Sequence, residues 1–218
     1  MAEYAAVLVG GGEVDAGKLA RMLQTTPILI GADGGALAIE RAGGAPHWVV
    51  GDGDSLGEND LLRLQAEGVR VRRYPHDKDQ TDMEIALELA VELGADSAAI
   101  FGATGTRLDH TVTNLGMLRR AAMLGLRAAI FAPGHEIMLL RPGRTRINGA
   151  AGQALSLIPL TPEVTGVATE NLRFPLRGES LFLGGSRGVH NEFIGAEAAV
   201  TLVSGELLAF VFAPDFLA

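Results

Sequence analysis

Short apolar segments alternate with helical patterns over the first 131 residues. Segments of strand length are predicted at 5–9, 27–30, 47–50, 69–73, 97–101 and 127–131. Helical patterns lie between them, near 15–24, 35–42, 57–67, 82–93 and 110–124. In the fourth helical segment, Ile85, Leu89 and Leu93 recur every four residues and form one apolar stripe. Strands that alternate with helices predict an open, mostly parallel sheet with flanking helices.

The pattern changes after residue 133. Strand-length segments now follow one another, at 136–140, 144–147, 154–159, 164–168, 181–183, 197–203 and 207–212. Turn residues separate them, and no segment has a convincing helical period. Such a series of short strands predicts an antiparallel sandwich or barrel. We therefore expect two domains, 1–133 and 134–218.

Composition narrows the function classes. The chain has 218 residues, of which 48% are hydrophobic and 20% are charged, values typical of an ordered globular protein. No apolar stretch approaches the roughly 18 residues of a membrane-spanning helix, so we expect no membrane role. The net charge of −8 argues against a nucleic-acid surface. Cysteine is absent, which excludes disulfides and thiolate chemistry and leaves a cytoplasmic location as the expectation.

Two carboxylates follow the third apolar segment. Asp52 and Asp54 come directly after residues 48–50 and are separated by one glycine. If the chain leaves the strand in extended form, alternate side chains point the same way and the two carboxylates lie together. Like charges at one place are best neutralised by a divalent cation, and oxygen ligands suit Mg²⁺. The pair therefore predicts a magnesium-dependent phosphate chemistry.

Further glycines and acids end the other predicted strands. Ligands of an open parallel sheet bind outside the carboxyl ends of its strands. The carboxyl ends of the predicted strands carry three glycines at 10–12, Asp33 in a glycine-containing turn, and Gly102 in a glycine-rich segment. Glycine lets backbone amides approach phosphate oxygens closely. For residues 10–12 a simple tight turn is an equally good explanation, since they match no nucleotide-binding fingerprint.

The segment 77–82 combines acids with a lysine. Thr81 and Glu84 have the spacing of a helix capping box, which explains both without any ligand. The capping box does not explain why Lys78 and the acids beside it occur together. We therefore expect Lys78 to meet a phosphate and Asp82 to join Asp52 and Asp54 around the metal.

Arg107 and Asp109 flank Leu108 where the fifth helix is expected to begin. In the simpler alternative, Asp109 caps this helix and Arg107 is merely exposed. A guanidinium beside glycines at a helix N-terminus is better suited to a phosphate, because its fork binds two oxygens. His110 and His135 show no metal-site spacing and are interpreted as structural or surface residues.

Several motifs occur together in a fixed order along the chain. They are the segments 32–35, 51–55, 78–82 and 102–110 with Asn114 in the first half, and 156–160, 166–169, 174–176 and 191–192 in the second. Together they resemble the thiamine pyrophosphokinase family, whose members transfer a diphosphate from ATP to thiamine and release AMP. Two positions depart from the family pattern: Thr106 replaces a usual glycine, and the segment 189–191 lacks a usual serine before Asn191.

The resemblance implies a Rossmann-like nucleotide- and magnesium-binding catalytic domain followed by a smaller β sandwich that binds thiamine and dimerises. It also implies a homodimer with thiamine and ATP as partners and Mg²⁺ as cofactor. Its implied metal ligands are Asp52, Asp54 and Asp82. Its implied nucleotide and diphosphate residues are Asp33, Lys78, Thr81, Gly102, Arg107 and Asp109. The segment around His190 and Asn191 is expected to approach thiamine.

In the implied reaction, the hydroxyl of thiamine attacks the β-phosphorus of ATP. Lys78 and Arg107 would take up charge on the transferred group, and Asp109 is the preferred proton acceptor. One alternative is a phosphatase of the haloacid dehalogenase type, in which Asp52 would form an aspartyl phosphate. Another is a non-catalytic sensor of thiamine or a nucleotide.

Overall fold

The computed structural model describes residues 3–75, 77 and 79–214. The chain divides into two compact units, Met1–Pro133 and Gly134–Ala218. None of the helices in these described stretches has the length and apolar character needed to span a membrane.

The first unit alternates strands and helices, as the hydrophobic pattern predicts. Its elements are β1 (Ala6–Val9), α1 (Ala16–Leu23), β2 (Ile28–Ala32), α2 (Gly35–Arg41), β3 (Trp48–Gly51), α3 (Glu58–Ala66), β4 (Arg70–Arg73), α4 (Asp82–Glu92), β5 (Ser97–Phe101), α5 (Leu108–Met123) and β6 (Arg127–Ala132). The strands pair in parallel in the order β6-β5-β1-β2-β3-β4. The predicted mostly parallel sheet with flanking helices is confirmed.

Burial along the strands follows their place in this order. Every residue of β1 and β5 is buried, whereas β4 at the end carries arginines and is partly exposed. The direction of the strand order reverses between β1 and β5, since β2 to β4 lie on one side and β6 on the other. Ligand sites of parallel sheets lie at such a point, beyond the carboxyl ends of the strands.

The second unit contains only strands in its described part. They are β7 (His135–Leu140), β8 (Gly143–Asn148), β9 (Ala154–Pro159), β10 (Glu163–Glu170), β11 (Arg177–Phe182), β12 (Asn191–Glu192), β13 (Glu197–Leu202) and β14 (Leu207–Phe212). One antiparallel layer has the order β12-β9-β14-β7 and the other β11-β10-β13-β8. Residues from both layers, among them Leu157, Ala209, Val164 and Val200, share one buried core, so the predicted sandwich is confirmed.

Two details of this unit differ from the prediction. The strand expected at 181–183 begins earlier, as β11 at Arg177, and the two-residue strand β12 was not predicted. β11 lies at the end of its layer and is mostly exposed, so its residues lack the continuous apolar pattern by which a strand is recognised.

Candidate active site

A cavity of about 440 Å³ lies in the first unit, among the loops at the carboxyl ends of its strands. Six of the residues predicted for the site line it: Asp33, Asp52, Thr81, Asp82, Gly102 and Arg107. Asp54 and Asp109 both belong to the described part of the chain and lie outside this lining. Lys78 lies outside the described residues, so its expected role stays a prediction.

Asp33 follows β2 in a left-handed backbone conformation with φ of 47°. Asp tolerates this conformation better than most residues do. Its amide donates to the carbonyl of Val50 at 2.8 Å, and its Oδ2 accepts from the amide of Ser55 at 3.0 Å. These contacts tie the end of β2 to β3 and to the loop that follows it. Asp33 is only 7% exposed.

Three carboxylates converge at this point. One oxygen from each of Asp33, Asp52 and Asp82 lies within 4.8 Å of the others. Oδ1 of Asp33 is buried and has no hydrogen-bond partner among the residues that the structure describes. A buried carboxylate oxygen without a donor is unfavourable. A hard cation with oxygen ligands, such as Mg²⁺, would satisfy it and neutralise the group, so this donor set fits the expected metal.

Gly51, the last residue of β3, separates two of these carboxylates. A Cβ at this position would lie 3.2 Å from Cβ of Asp33 and 3.3 Å from Cγ of Asp82. Its φ of +146° is also a conformation that residues with a side chain rarely adopt. A glycine therefore allows the ends of β2 and β3 and the start of α4 to approach closely enough for the carboxylates to meet.

Asp54 is placed differently from the expectation. The chain turns directly after β3, with φ of +88° at Gly53, so the segment does not continue in extended form. The argument that strand alternation brings Asp52 and Asp54 together is therefore wrong. Asp54 is exposed, and its amide donates to Oδ1 of Asp52 at 3.1 Å. In the group of three carboxylates, Asp33 takes the place expected for Asp54.

The glycines after β1 serve the packing of two loops. The amides of Gly10, Gly12 and Glu13 donate to carbonyls of residues 101, 102 and 104 at 2.7 to 3.0 Å. A Cβ on Gly12 would lie 2.2 Å from the carbonyl oxygen of Thr104. These three amides are occupied within the protein and are not available to a phosphate, so the structural explanation applies to Gly10 and Gly12.

Thr81 and Asp82 lie at the start of α4. Oγ1 of Thr81 accepts from the amide of Glu84 at 3.2 Å, which is the helix cap that the sequence pattern predicts. A hydroxyl that accepts in this way still has its own proton to donate, so capping and phosphate binding are compatible. Asp82 is the first helical residue, which brings its carboxylate to the group of three.

Arg107 and Asp109 form an ion pair at the start of α5. The distance between Nη2 of Arg107 and Oδ2 of Asp109 is 2.6 Å, and both side chains are exposed. The hydrogen bond from Arg107, with a smaller contribution from the amide of His110, lowers the pKa of Asp109 to about 2. Arg107 is itself the N-cap residue of α5, without a side-chain capping bond, so the alternative in which Asp109 caps this helix is wrong.

His110, Thr111 and Asn114 also line the cavity. Thr111 is not among the residues singled out from the sequence, and no site role is predicted for His110 or Asn114, although both belong to the motifs of the resemblance. Nδ2 of Asn114 donates to the carbonyl of Ala103 at 2.8 Å and so connects α5 to the loop after β5. The sequence contained a feature that could have identified them: the spacing of positions 107, 110, 111 and 114 places these residues on one helix face. His110 is exposed and lines the cavity, which its spacing relative to other histidines could not reveal.

A second, smaller cavity of about 330 Å³ lies in the second unit and is lined in part by His190 and Asn191. Asn191 is buried; its Oδ1 accepts from the amides of Phe174 and Glu192, both at 2.9 Å, and its Nδ2 donates to the carbonyl of Phe174 at 2.7 Å. His190 is exposed, has φ of 58°, and donates its amide to Oγ of Ser156 at 2.9 Å. Asn191 thus fixes the wall of the cavity through its bonds to Phe174.

Taken together, the first unit defines an α/β protein with an acidic ligand site at the carboxyl edge of a parallel sheet, and an antiparallel sandwich follows it. Residues 19–130 match the family described as thiamin pyrophosphokinase, catalytic domain. Residues 144–207 match thiamin pyrophosphokinase, vitamin B1 binding domain. The chain belongs to the thiamin pyrophosphokinase family.

Individual relatives agree with this assignment. The chain is 28% identical over 180 residues to the thiamine pyrophosphokinase of Bacillus subtilis strain 168, covering 82% of this chain and 84% of the relative. The crystal structure of thiamine pyrophosphokinase from Bacillus subtilis superimposes with a TM-score of 0.85 at 26% identity, covering 95% of this chain and 98% of that chain. The structure from Geobacillus thermodenitrificans gives 0.83 at 28% identity, with coverage of 98% and 99%.

The resemblance noted in the sequence is therefore confirmed, and with it the enzyme class: a thiamine diphosphokinase, a transferase of thiamine diphosphate biosynthesis. The phosphatase and the sensor are the less favoured alternatives. A phosphatase of the haloacid dehalogenase type leaves the match of residues 144–207 to a vitamin B1 binding domain without explanation.

Proposed function

We propose that the cavity of the first unit binds ATP and Mg²⁺ and is the place where the diphosphate is transferred to thiamine. The observation that carries this proposal is the group formed by Asp33, Asp52 and Asp82, in which a buried oxygen of Asp33 has no hydrogen-bond partner among the described residues. Mg²⁺ held by these three residues would neutralise phosphate charge and orient the diphosphate. Asp54 stays a predicted ligand from the resemblance, in a position more exposed than that of the other three.

The reaction is an in-line displacement at phosphorus. The hydroxyl oxygen of thiamine forms a bond to the β-phosphorus of ATP, and the bond from that phosphorus to the oxygen shared with the α-phosphate breaks. AMP leaves with this oxygen and its electron pair, and the hydroxyl proton passes to a base. The protein contributes by positioning the reactants and by stabilising charge.

Arg107 is the cation of the described lining that is best suited to the transferred group, because its planar fork matches two phosphate oxygens. Its present partner, Asp109, lies outside the lining and accepts from Nε and Nη2 of Arg107. A phosphate would therefore either use the remaining N–H groups of the guanidinium or replace this carboxylate. As long as the pair is intact, Asp109 is a poor proton acceptor, because its pKa is about 2. Thr81 would donate its hydroxyl proton to the same phosphates.

For the acceptor, we propose that thiamine binds at the cavity that His190 and Asn191 line in the second unit. Support comes from the match of residues 144–207 to a vitamin B1 binding domain. We also propose a homodimer and a Rossmann-like first unit; the latter is supported by the reversal of strand order between β1 and β5. A cytoplasmic location stays a prediction from the sequence.

A coupled assay for AMP tests the proposed reaction. The purified protein is incubated with ATP, Mg²⁺ and thiamine, and in parallel with thiamine monophosphate or with the free pyrimidine alcohol. We expect AMP to form with thiamine and not without an acceptor. Release of inorganic phosphate from monoesters would instead favour the phosphatase, and thiamine binding in calorimetry without turnover would favour the sensor.

A further inference from the structure

A chain of polar contacts connects helices α4 and α5 with the segment that leads into α4. Oε1 of Glu88 accepts from Nη2 of Arg120 at 2.7 Å, and Oε2 of Glu88 accepts from Nε2 of Gln80 at 3.1 Å. Arg120 lies on α5, where its Nε is also 3.7 Å from Oε1 of Glu84. The two oxygens of Glu88 thus connect a residue of the neighbouring helix to a residue of the cavity.

Gln80 lies directly beside residues of the candidate active site. It lines the cavity and directly precedes Thr81 and Asp82, the helix cap and one of the three converging carboxylates. The bond from Gln80 to Glu88, eight residues further along the chain, holds the segment before α4 against that helix. The contact therefore limits how far the residues just before α4 can move from the cavity.

The contact also orients the amide of Gln80. Arg120 and, to a lesser extent, Gln80 lower the pKa of Glu88, so this carboxylate is ionised at neutral pH. An ionised carboxylate only accepts hydrogen bonds, and it therefore selects the nitrogen end of the Gln80 amide. The side chain of Glu88 is 31% exposed, so this charged contact is partly shielded from water.

We propose that Glu88, held by Arg120, is a positioning residue for diphosphate transfer: it fixes Gln80 and so keeps Thr81 and Asp82 in place for the nucleotide and its metal. The inference rests on the proposed function of the cavity as the site of ATP and Mg²⁺. Glu88 does not belong to the residues that line the cavity, so its effect passes through Gln80.

The first test compares Glu88→Ala with Glu92→Ala. Glu92 lies on the same helix and also binds an arginine, with 2.7 Å between its Oε2 and Nη1 of Arg72. Neither Glu92 nor Arg72 is among the residues that line the cavity. We expect Glu88→Ala to raise the KM for MgATP about ten-fold, a typical effect of losing a supporting residue, while kcat at saturating MgATP changes little. Glu92→Ala should leave both constants as in the wild type.

A double-mutant cycle separates positioning from a general loss of stability. If Glu88 acts through Gln80, adding Glu88→Ala to a Gln80→Ala variant should not change the KM any further. Additive effects on the KM would overturn the proposal, because a carboxylate that only ties α4 to α5 would act independently of Gln80. Glu88→Gln keeps one acceptor oxygen, and we expect its KM to lie between those of the wild type and Glu88→Ala.

The remaining outcomes are also decisive. A wild-type protein that forms no AMP would refute the proposed function and this inference with it. An active wild type together with an unchanged KM in Glu88→Ala would refute this inference alone. Circular dichroism melting curves for each variant show whether the fold is retained. If kcat and the melting temperature both fall in Glu88→Ala while the KM stays constant, Glu88 stabilises the fold and is not a positioning residue.

Discussion

Oδ2 of Asp33 accepts a hydrogen bond from the amide of Ser55 at 3.0 Å, while Oδ1 of the same carboxylate is buried without a partner among the described residues. The first contact fixes the side chain in one orientation. One oxygen of this carboxylate lies within 4.8 Å of one oxygen each of Asp52 and Asp82. A carboxylate fixed in this way would be a preorganised ligand for the proposed Mg²⁺, because it would need no rearrangement when the ion binds.

This arrangement predicts that Asp33 matters more for magnesium binding than Asp54 does. Asp33→Asn removes the charge but keeps an oxygen for Ser55, and Asn tolerates the left-handed backbone of this position. We expect the apparent affinity for Mg²⁺, measured by titrating activity with the metal, to fall at least about ten-fold in Asp33→Asn. Asp54→Asn, at an exposed position, should have the smaller effect on this affinity. A larger loss of affinity in Asp54→Asn than in Asp33→Asn would instead assign the metal to Asp52 and Asp54, the pair that the sequence argument favoured.

A side chain at Gly51 should separate the carboxylates. In Gly51→Ala the new methyl group would lie 3.2 Å from Cβ of Asp33 and 3.3 Å from Cγ of Asp82. We expect a loss of about 1 to 3 kcal/mol in the free energy of unfolding, from backbone strain, and a weaker response to Mg²⁺. Chemical denaturation and a magnesium titration measure the two effects.

Gly53→Ala is the matched control for this prediction. Gly53 also has positive φ, at +88°, but among the residues that the structure describes a Cβ there would contact only Cδ2 of Leu61, at 3.7 Å. This variant should lose stability through strain and keep the magnesium response of the wild type. An equal shift of the magnesium response in both variants would show that strain alone, and not the spacing of the carboxylates, is responsible.

The ion pair at the start of α5 predicts an unusually acidic Asp109. Carboxyl NMR shifts followed against pH should give a pKa of about 2 in the wild type. Arg107→Ala should raise this pKa towards the ordinary value of 3.8, and the amide of His110 should keep it slightly lower. A wild-type pKa near the ordinary value would contradict the observed pairing.

The sign of the linked stability follows from the lowered pKa. Because folding lowers the pKa of Asp109, the contribution of the pair is complete above about pH 4 and is lost as the pH falls towards 2. Any difference in melting temperature between the wild type and Arg107→Ala should therefore be constant from pH 5 to 8 and shrink below about pH 4. The difference should be small, since both side chains are exposed.

Asn191 is predicted to act on thiamine binding mainly through structure. Three hydrogen bonds to the backbone of Phe174 and Glu192 occupy its buried amide. Asn191→Ala should lower the free energy of unfolding by about 1 to 3 kcal/mol, because it leaves buried backbone groups without partners. Urea denaturation followed by circular dichroism measures this. Ser186→Ala, at an exposed position of the same cavity, should change it by less than about 0.5 kcal/mol.

The local hydrophobic pattern of the sequence was sufficient to predict the order of helices and strands in this chain. The periodicity of α4 and the Thr81 cap follow from residues within a few positions of each other, and such short-range interactions are visible in a linear sequence. The rule that polar residues gather at the carboxyl ends of parallel strands was also sufficient to select Asp33, Asp52 and Asp82 as site residues. Their order with the other motifs further identified the family.

Which carboxylates meet was decided only by the tertiary structure. The turn at Gly53 directs Asp54 away from the strand direction, while the close approach of β2 and α4 around Gly51 brings Asp33 to Asp82. The turn at Gly53 is local, but the approach of Asp33 to Asp82 joins residues that are far apart in the sequence. The carbonyl partners of the amides after β1 and the hydrogen bond from Gln80 to Glu88 could not be predicted from the sequence either. A sequence specifies the donors and acceptors, but their pairing depends on distances that exist only when the strands and helices pack together.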